Sequence, residues 1–216
     1  MIKLYSYWRS SAAYRVRIGL NLKDIAHEII PVNMLLDGGQ QLTSEYRQIN
    51  PQGLVPALID DGMTLTQSLA ILEYLDEKYP QSGLLPANIA DKARARQLAQ
   101  IIACDIHPLN NLRVLKYIKR EFAQDDDAKD TWYKHWMIQG FDALESELTK
   151  VRGDGPYCLG KKVTLVDLFL IPQMYNAHRF DTPLDNYPTL VAIEQACLEL
   201  EAFDKAKPEN QIDAVT

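Results

Sequence analysis

Short apolar runs rich in β-branched and aromatic residues dominate the first part of the chain. Four of them predict strands, and they cover residues 2–7, 26–32, 56–59 and 63–65. The last two flank Asp60-Asp61-Gly62, an acidic pair before a glycine that is typical of a tight hairpin turn. Residues 67–79 repeat apolar positions with helical spacing and predict a helix, and a shorter helix is predicted at 44–49.

The segment between the first two predicted strands supports two interpretations. From Arg15 to Lys23, polar and apolar residues alternate strictly, which taken alone predicts a strand. We favour a helix because Ser10 and Ser11 precede the segment and can cap one. Gly19 weakens such a helix by about 1 kcal/mol relative to alanine. The inward face of the helix would carry Ala12, Ala13, Val16 and Leu20.

The remainder of the chain has the periodicity of helices, and it contains no convincing strand pattern. Residues 79–93 contain two prolines, a glycine and a serine, so they predict a linker with a helix start near Asn88. We therefore predict two domains, at residues 1–80 and 88–216.

Three helical patterns follow the linker. One runs from Ala93 to Phe122 with an expected kink at Pro108, and a second runs from Trp132 to Lys150. The third follows Thr164-Leu-Val-Asp167, which has the form of a capping box, and its apolar surface on most sides predicts a central helix. The acidic run at 125–127 is predicted to be a solvated loop and not a metal site.

Composition narrows the classes of function. The chain has 216 residues, a formal charge of −6 and a pI near 5.2, which argues against non-specific binding to nucleic acid. No apolar run approaches the roughly 20 residues of a membrane span, and the N-terminus does not resemble a signal peptide. Cys104, Cys158 and Cys197 are too far apart for a disulfide framework or a zinc cluster. These features predict a cytoplasmic protein without a bound metal, a membrane contact or a nucleic-acid partner.

Several segments, taken in order, resemble one known family. NPQGLVPAL, QSLAILEYL and TLVDLFLIPQ, at 50–58, 67–75 and 164–173, are similar to landmark segments of the cytosolic glutathione transferases. YSYWRSSAAYRVRIGLNLK near the N-terminus, DGGQQ at 37–41 and PQMYNAHRF at 172–180 narrow the resemblance to the zeta class. The resemblance implies an α/β thioredoxin-like N-terminal domain plus an all-α C-terminal domain, which is the cytosolic glutathione transferase fold.

The same resemblance implies a function. We expect glutathione-dependent cis–trans isomerisation of maleylacetoacetate to fumarylacetoacetate in tyrosine and phenylalanine degradation, with glutathione as a regenerated cofactor. Maleylpyruvate isomerisation and α-halo acid dehalogenation stay open as related reactions. A non-catalytic partner-binding protein of the same fold is a further alternative, although the glutathione-contact residues count against it. The family also implies a homodimer and a small dicarboxylate substrate.

Ser10 and Ser11 are the candidate catalytic residues. A thiol with an ordinary pKa of about 8.5 is mostly protonated at neutral pH, and a helix N-terminus stabilises an anion. The two hydroxyls would therefore hold the thiolate of glutathione at the start of the predicted helix; alternatively, Ser11 only caps that helix. The zeta-class motif usually reads Ser-Ser-Cys, whereas this chain has Ala12 at the third position, so no role of that cysteine can be carried over.

Four further positions match glutathione contacts of the family. Val55 precedes Pro56 in a bond that this fold makes cis, and the main chain of Val55 would pair with the tripeptide. Gln67 and Ser68 would hold the γ-glutamyl carboxylate at a helix N-terminus. Gln41 matches the position that contacts the glycyl end.

Two arginines are candidates for binding the substrate carboxylates, because a guanidinium pairs with a carboxylate through two hydrogen bonds. Arg179 matches the family's substrate-binding arginine and Arg9 flanks the serines, although either could form a structural salt bridge instead. We expect Arg15 and Arg17 to be structural. The stretch at 107–115 resembles the part of the helical domain that lines the site, and its candidate glutathione contacts are His107, Asn111 and Arg113.

Overall fold

The computed structural model describes residues 1–215, and the chain divides into two compact units. The first unit contains Met1–Leu84 together with the segment that starts at Leu198, and the second contains Leu85–Cys197. These units differ from the predicted domains at 1–80 and 88–216, because the C-terminal segment packs on the N-terminal unit.

A four-stranded sheet organises the first unit, and all four predicted strands are confirmed. The strands are β1 (Ile2–Ser6), β2 (His27–Pro31), β3 (Ala57–Asp60) and β4 (Met63–Thr66). Their order in the sheet is β2-β1-β3-β4, with β1 parallel to β2, and β3 antiparallel to both β1 and β4.

The helices of this part are α1 (Ser11–Leu22), α2 (Ser44–Ile49) and α3 (Ser68–Lys78). The parallel pair of β1 and β2 needs a crossover connection, which α1 provides.

Helix α1 confirms the helical interpretation of the ambiguous alternation. All residues from Ser11 to Leu20 are buried, and they include Arg15 and Arg17, each only 1% exposed. Arg15 and Arg17 are therefore not on the solvent-facing side of a strand. They are buried cations that find hydrogen-bond acceptors within the first unit.

The hairpin between β3 and β4 has the predicted tight turn. Asp61 and Gly62 both have positive φ, at 48° and 81°, which is the backbone geometry of a type I′ turn. The apolar core of this unit draws fully buried residues from the sheet and from two helices, and these are Leu4, Leu58, Ile18, Ile71 and Leu72.

Helices build the second unit, which confirms the all-α prediction for this part of the chain. Among its described residues, the one strand-like pairing is an isolated bridge between Tyr157 and Gly160. Within residues 1–215, none of the helices combines the length and the hydropathy that a bilayer span requires. The helices are α4 (Ile89–Gln100), α5 (Leu112–Glu121), α6 (Asp126–Val151), α7 (Leu165–Arg179) and α8 (Pro188–Leu198).

The prediction of one kinked helix from Ala93 to Phe122 is wrong. Helix α4 continues into a π-helical segment at Ile101–Ile106, and the chain then turns before α5 begins. The His107 N–H donates to the Ile102 carbonyl at 2.9 Å, five residues back. Pro108 has no N–H to extend the helix, and its ring clashes with the carbonyl four residues earlier. The helix therefore widens and breaks where we expected it only to bend.

The prediction of a solvated loop at 125–127 is also wrong, although these aspartates are exposed. Asp125 is the N-cap of α6, and its carboxylate accepts a hydrogen bond from the Ala128 N–H at 2.9 Å. The next two aspartates form the first helical turn, where negative charge stabilises the helix dipole. Helix α6 consequently begins at Asp126 and not at Trp132.

The predicted capping box at the start of α7 is confirmed. Asp167 is fully buried, and it accepts hydrogen bonds from the Thr164 N–H at 2.7 Å and the Thr164 hydroxyl at 3.0 Å. It also accepts the Cys158 N–H at 2.8 Å. Burial raises the pKa of this carboxyl group, while these hydrogen bonds act in the opposite direction. Helix α7 is mostly buried, as expected for a central helix.

The C-terminal segment forms helix α9 (Glu201–Ala206), which packs along α1. Asn21 donates to the Ala202 carbonyl at 3.1 Å, and Arg17 donates to the Ala206 carbonyl at 3.0 Å. These bonds explain why the last part of the chain belongs to the N-terminal unit.

A buried lysine fixes the exit from helix α3. The side chain of Lys23 has no exposed surface, and it pairs with Asp76 at 2.8 Å. Its ammonium group also donates to the carbonyls of Tyr79 at 2.7 Å and Ser82 at 3.2 Å. Asp76 in turn accepts the Leu84 N–H at 2.7 Å. This cluster anchors the chain where it leaves the first unit.

Replacing this lysine should destabilise the protein. We expect Lys23→Met to lower the free energy of unfolding by about 3 kcal/mol, because it removes the buried cation that pairs with Asp76 and donates to several carbonyls. Lys3→Met is the matched control, since the Lys3–Glu28 pair at 3.8 Å is about half exposed and should contribute less than about 0.5 kcal/mol. Urea denaturation measures both values, and equal losses would contradict the anchoring role.

Candidate active site

The two adjacent serines occupy different positions at the start of α1. Ser10 is the N-cap residue, with φ −71° and ψ 114°, and its hydroxyl accepts the Ala13 N–H at 3.2 Å. Ser11 is the first helical residue and is 8% exposed. The alternative that Ser11 only caps the helix is therefore wrong, because Ser10 has the capping role. Together with the first-turn N–H groups, the two hydroxyls form a site suited to an anion.

Residues 7–10, the loop between β1 and α1 that leads into these serines and is named the serine loop here, are held by a buried guanidinium. Arg17 donates to the Ser6 hydroxyl at 3.1 Å, the Tyr7 carbonyl at 3.4 Å and the Trp8 carbonyl at 3.0 Å. With its bond to Ala206, this arginine joins the end of β1, the loop and α9. The structural role expected for Arg17 is confirmed.

A residue that sequence reasoning missed completes the hold on this loop. The carboxylate of Asp213 accepts the Trp8 N–H at 3.0 Å, across 205 positions of sequence. No local pattern around Asp213 signals this contact, because the partner is a backbone amide near the other end of the chain. Arg9, the next residue in the loop, is half-buried and lies over the Trp8 ring at 5.3 Å from its centroid.

The Val55–Pro56 peptide bond is cis, as the family resemblance predicted. Val55 is only 8% exposed. The preceding carbonyl, of Leu54, accepts hydrogen bonds from the Tyr46 hydroxyl at 2.8 Å and the Asn50 amide at 2.7 Å. Burial raises the pKa of Tyr46, so its hydroxyl keeps its proton and donates. These two contacts fix the main chain that leads into Val55.

Gln67 and Ser68 stand at the N-terminus of α3. Gln67 has φ of 70°, which is uncommon for a non-glycine residue, and its amide donates to the Gln52 side-chain carbonyl at 2.8 Å. Ser68 is 7% exposed, and its hydroxyl accepts a hydrogen bond from Arg15 at 3.2 Å. Gln67 is thus tied to the segment before Val55, and Ser68 is tied to α1.

Gln41 lies in a short 3₁₀ helix, Gln40–Leu42, and is 4% exposed. Its side-chain Oε1 is buried and accepts no hydrogen bond within the described residues. Such an atom is costly to leave unpaired, so it marks a place for an external donor. The side chain fits only because Gly39 has no Cβ: one there would lie 2.5 Å from Nε2 of Gln41.

In the second unit, His107 and Asn111 flank the turn between the π-helical segment and α5. Asn111 caps α5, because its side chain accepts the Arg113 N–H at 3.1 Å. His107 is half-buried, and the Arg113 side chain is exposed. The structure therefore places these three candidate contacts within one short stretch and gives Asn111 a capping role of its own.

Arg179 is exposed in the last turn of α7, and its guanidinium lies over the Phe180 ring at 4.6 Å from the centroid. Phe180 in turn stacks on Tyr133, with ring centroids 3.6 Å apart. The pKa of Tyr133 is raised by burial, and the charge of Arg179 acts against that rise. Sequence reasoning did not identify this aromatic support of Arg179.

Two of the three cysteines are buried and unsuited to act as nucleophiles. Burial raises the pKa of both Cys158 and Cys197, which keeps these thiols protonated and inert. Ala12, where the zeta-class motif has cysteine, is buried and carries no reactive group. Cys104 is exposed. Among the described residues, no cluster of potential ligands could hold a metal ion.

Two family models match the chain: "Glutathione S-transferase, N-terminal domain" over residues 4–83 and "Glutathione S-transferase, C-terminal domain" over residues 110–205. This chain belongs to the glutathione S-transferase family. The thioredoxin-like fold with a helical second part, expected from the sequence, is thereby confirmed.

Individual relatives place this glutathione S-transferase in the zeta class. A "Probable maleylacetoacetate isomerase" of Vibrio cholerae is 48% identical over 98% of this chain and 97% of its own length. A holo maleyl pyruvate isomerase, described as a zeta-class bacterial enzyme, is similar with a TM-score of 0.94 and 42% identity, covering 99% of this chain and 100% of its own. A maleylacetoacetate isomerase of Methylobacterium extorquens AM1, with bound malonate and GSH, has a TM-score of 0.94 and 41% identity at the same coverage.

Removal of the Asp213 carboxylate should loosen the serine loop of this transferase. We expect Asp213→Ala to raise the hydrogen-exchange rate of the Trp8 amide at least about tenfold, because its acceptor is lost. Glu199→Ala removes the same charge from an exposed position of the C-terminal segment and is the control. Hydrogen exchange followed by NMR at single-residue resolution measures the effect, and unchanged exchange at Trp8 in Asp213→Ala would contradict the contact.

Proposed function

We propose that this glutathione S-transferase catalyses the glutathione-dependent cis–trans isomerisation of maleylacetoacetate to fumarylacetoacetate, in tyrosine and phenylalanine degradation. The start of α1 carries the proposal, because it offers an anion site at Ser10 and Ser11. The near full-length similarity to maleylacetoacetate isomerases supports the choice of substrate.

The residues present fit glutathione as the cofactor. The buried, unpaired Oε1 of Gln41 is an acceptor that can receive the N–H at the glycyl end of the tripeptide. The main chain of Val55 can pair with the cysteinyl part as a short added strand. Gln67 and Ser68 can hold the γ-glutamyl carboxylate at the N-terminus of α3.

When bound, glutathione supplies a thiolate that adds to the cis double bond, permits rotation and is then released. The chain's part is to hold negative charge on sulfur at the start of α1. Because the Ser10 oxygen already accepts the Ala13 N–H, its proton is free to point outward as a donor. Ser11 presents a second hydroxyl beside the N–H groups of the first turn. Neither serine has to be a nucleophile.

Arginines position the substrate in this proposal. Arg9 and Arg179 bind its carboxylates, and each guanidinium lies over an aromatic ring that limits its movement. His107, Asn111 and Arg113 keep the role of glutathione contacts that the family resemblance gives them.

The closest competing function is maleylpyruvate isomerisation, which the similar holo maleyl pyruvate isomerase structure favours. Both reactions need the same thiolate site and differ in the acid that is bound. Turnover of maleylacetoacetate and maleylpyruvate, each with and without catalytic glutathione, separates them. We expect maleylacetoacetate to have the higher kcat/KM, with no turnover when glutathione is omitted. A chain that binds no glutathione would instead support a partner-binding role.

We further propose that the protein is a cytoplasmic homodimer. Family resemblance supports the dimer, and the three unpaired cysteines are typical of a reducing compartment. Light scattering coupled to gel filtration measures the mass in solution.

The two serines should give distinguishable variants. We expect Ser11→Ala to lower kcat/KM by about 100-fold, because a hydroxyl donor to the thiolate is lost, while stability stays nearly unchanged. Ser10→Ala should lower activity and also lower the free energy of unfolding by about 1 kcal/mol, because it removes the N-cap. Isomerase kinetics and urea denaturation test both variants. If each variant keeps near-full activity, the thiolate assignment is wrong.

A methyl group at Gly39 should displace Gln41. Gly39→Ala places Cβ within 2.5 Å of Gln41 Nε2, at a residue whose φ is +115°. We expect glutathione affinity to fall about tenfold, equivalent to about 1.4 kcal/mol. Gly38→Ala is the matched control, because Gly38 also has positive φ, at +86°, but has no neighbour within 4 Å. Calorimetric titration with glutathione reports both, and equal losses would refute a specific role of Gln41.

A further inference from the structure

Helix α1 carries two arginines that are equally buried and two positions apart, yet their guanidinium groups contact different parts of the first unit. Each is 1% exposed. Arg17 donates to the Ser6 hydroxyl and to main-chain carbonyls of the serine loop and α9, as expected of a structural clamp. Arg15 donates to the Ser68 hydroxyl at 3.2 Å, on the first residue of α3. Both arginines were expected to be structural, and Arg15 in addition contacts a candidate ligand-binding residue.

The bond from Arg15 determines what the Ser68 hydroxyl can do. A guanidinium is always charged and can only donate, so the Ser68 oxygen must be the acceptor. The proton of that hydroxyl then points away from Arg15, and the nearby positive charge makes it a stronger donor. Ser68 is thereby set up to donate to an acceptor, and most favourably to an anion.

The surroundings increase this effect. Ser68 is 7% exposed and Arg15 is almost fully buried, so water screens little of the charge. The N–H groups of the first turn of α3 lie at the same helix end and add positive potential. An anion on Ser68 would meet a hydroxyl donor, helix amides and a buried cation behind the hydroxyl.

We propose that Arg15 is a positioning residue for the γ-glutamyl carboxylate of glutathione, acting through Ser68. The proposal rests on the function proposed above, which assigns that carboxylate to Gln67 and Ser68. Arg15 need not touch the ligand: it orients the hydroxyl and supplies charge. Its contribution should therefore appear in glutathione binding and KM, while kcat at saturating glutathione stays within about threefold of wild type.

The experiment compares two ligands that differ only at this carboxylate. The ligands are glutathione and 4-aminobutyryl-cysteinylglycine, which lacks the α-carboxylate of the γ-glutamyl residue. Calorimetric titration gives the dissociation constant of each, and the ratio of the two constants is the preference for glutathione. We expect wild type to prefer glutathione strongly. Arg15→Gln, which keeps a hydrogen-bonding group but removes the charge, should reduce that preference about tenfold. Arg15→Lys should retain most of it, because the charge is kept.

Arg17→Gln is the matched control, since it removes an equally buried charge from the same helix. It should lower stability without changing the preference between the two peptides. If Arg15→Gln does not fold, Ser68→Ala provides the same test, because the hydroxyl links the cation to the ligand; an undiminished preference would overturn the proposal. The same preference in Arg15→Gln as in wild type would also overturn it.

Failure of the proposed function would look different. A wild-type protein that binds both peptides equally well has no carboxylate site at Ser68, and this result would reject the assignment of that carboxylate to Gln67 and Ser68 together with the role of Arg15. A wild-type protein that binds neither peptide would reject the proposed function itself. A wild-type protein that discriminates, together with an Arg15→Gln variant that discriminates equally, would reject only the role of Arg15.

Discussion

The guanidinium group of Arg17 is the contact on which the serine loop depends. It joins the end of β1, two carbonyls of the loop and the last residue of α9, all from a position with almost no exposed surface. A buried cation of this kind is stable only when its donors are satisfied, so the loop and α9 must be in place for α1 to pack. The anion site at the start of α1 therefore depends on contacts made well inside the first unit.

This arrangement suits a reaction in which the protein does not provide the nucleophile. The buried thiols of Cys158 and Cys197 are kept protonated, and Ala12 replaces the family's cysteine. What the chain offers is a set of oriented donors: hydroxyls and helix amides at α1, and a hydroxyl backed by a cation at α3. Donors fixed by folding need no reorganisation when charge develops on a ligand.

Local signals were sufficient wherever a residue's role depends on its sequence neighbours. The Asp-Gly turn, the Thr164–Asp167 capping box and all four strands were predicted from short patterns and confirmed. The alternation from Arg15 to Lys23 is ambiguous because buried arginines look like solvent-facing positions of a strand, and the capping serines before it correctly favoured the helix. The break after Ile106 and the helix start at Asp126 were missed, since the effect of Pro108 extends back over a whole turn and since acidic runs resemble loops as well as helix N-termini.

Other features could not be found from sequence at all. Which serine caps α1 depends on backbone angles at Ser10, and the contact between Asp213 and Trp8 joins opposite ends of the chain. The remaining site residues were predicted from the family resemblance alone. Their roles depend on contacts with a ligand, which no local sequence pattern reports.

The bond from Trp8 to Asp213 has a consequence for how the protein matures. Translation makes Trp8 205 positions before Asp213, so the Trp8 amide has no access to this acceptor until residue 213 has been synthesised. Arg17 likewise receives the Ala206 carbonyl only after α9 has been made. The serine loop can therefore take its full set of contacts only after synthesis has passed both distant acceptors.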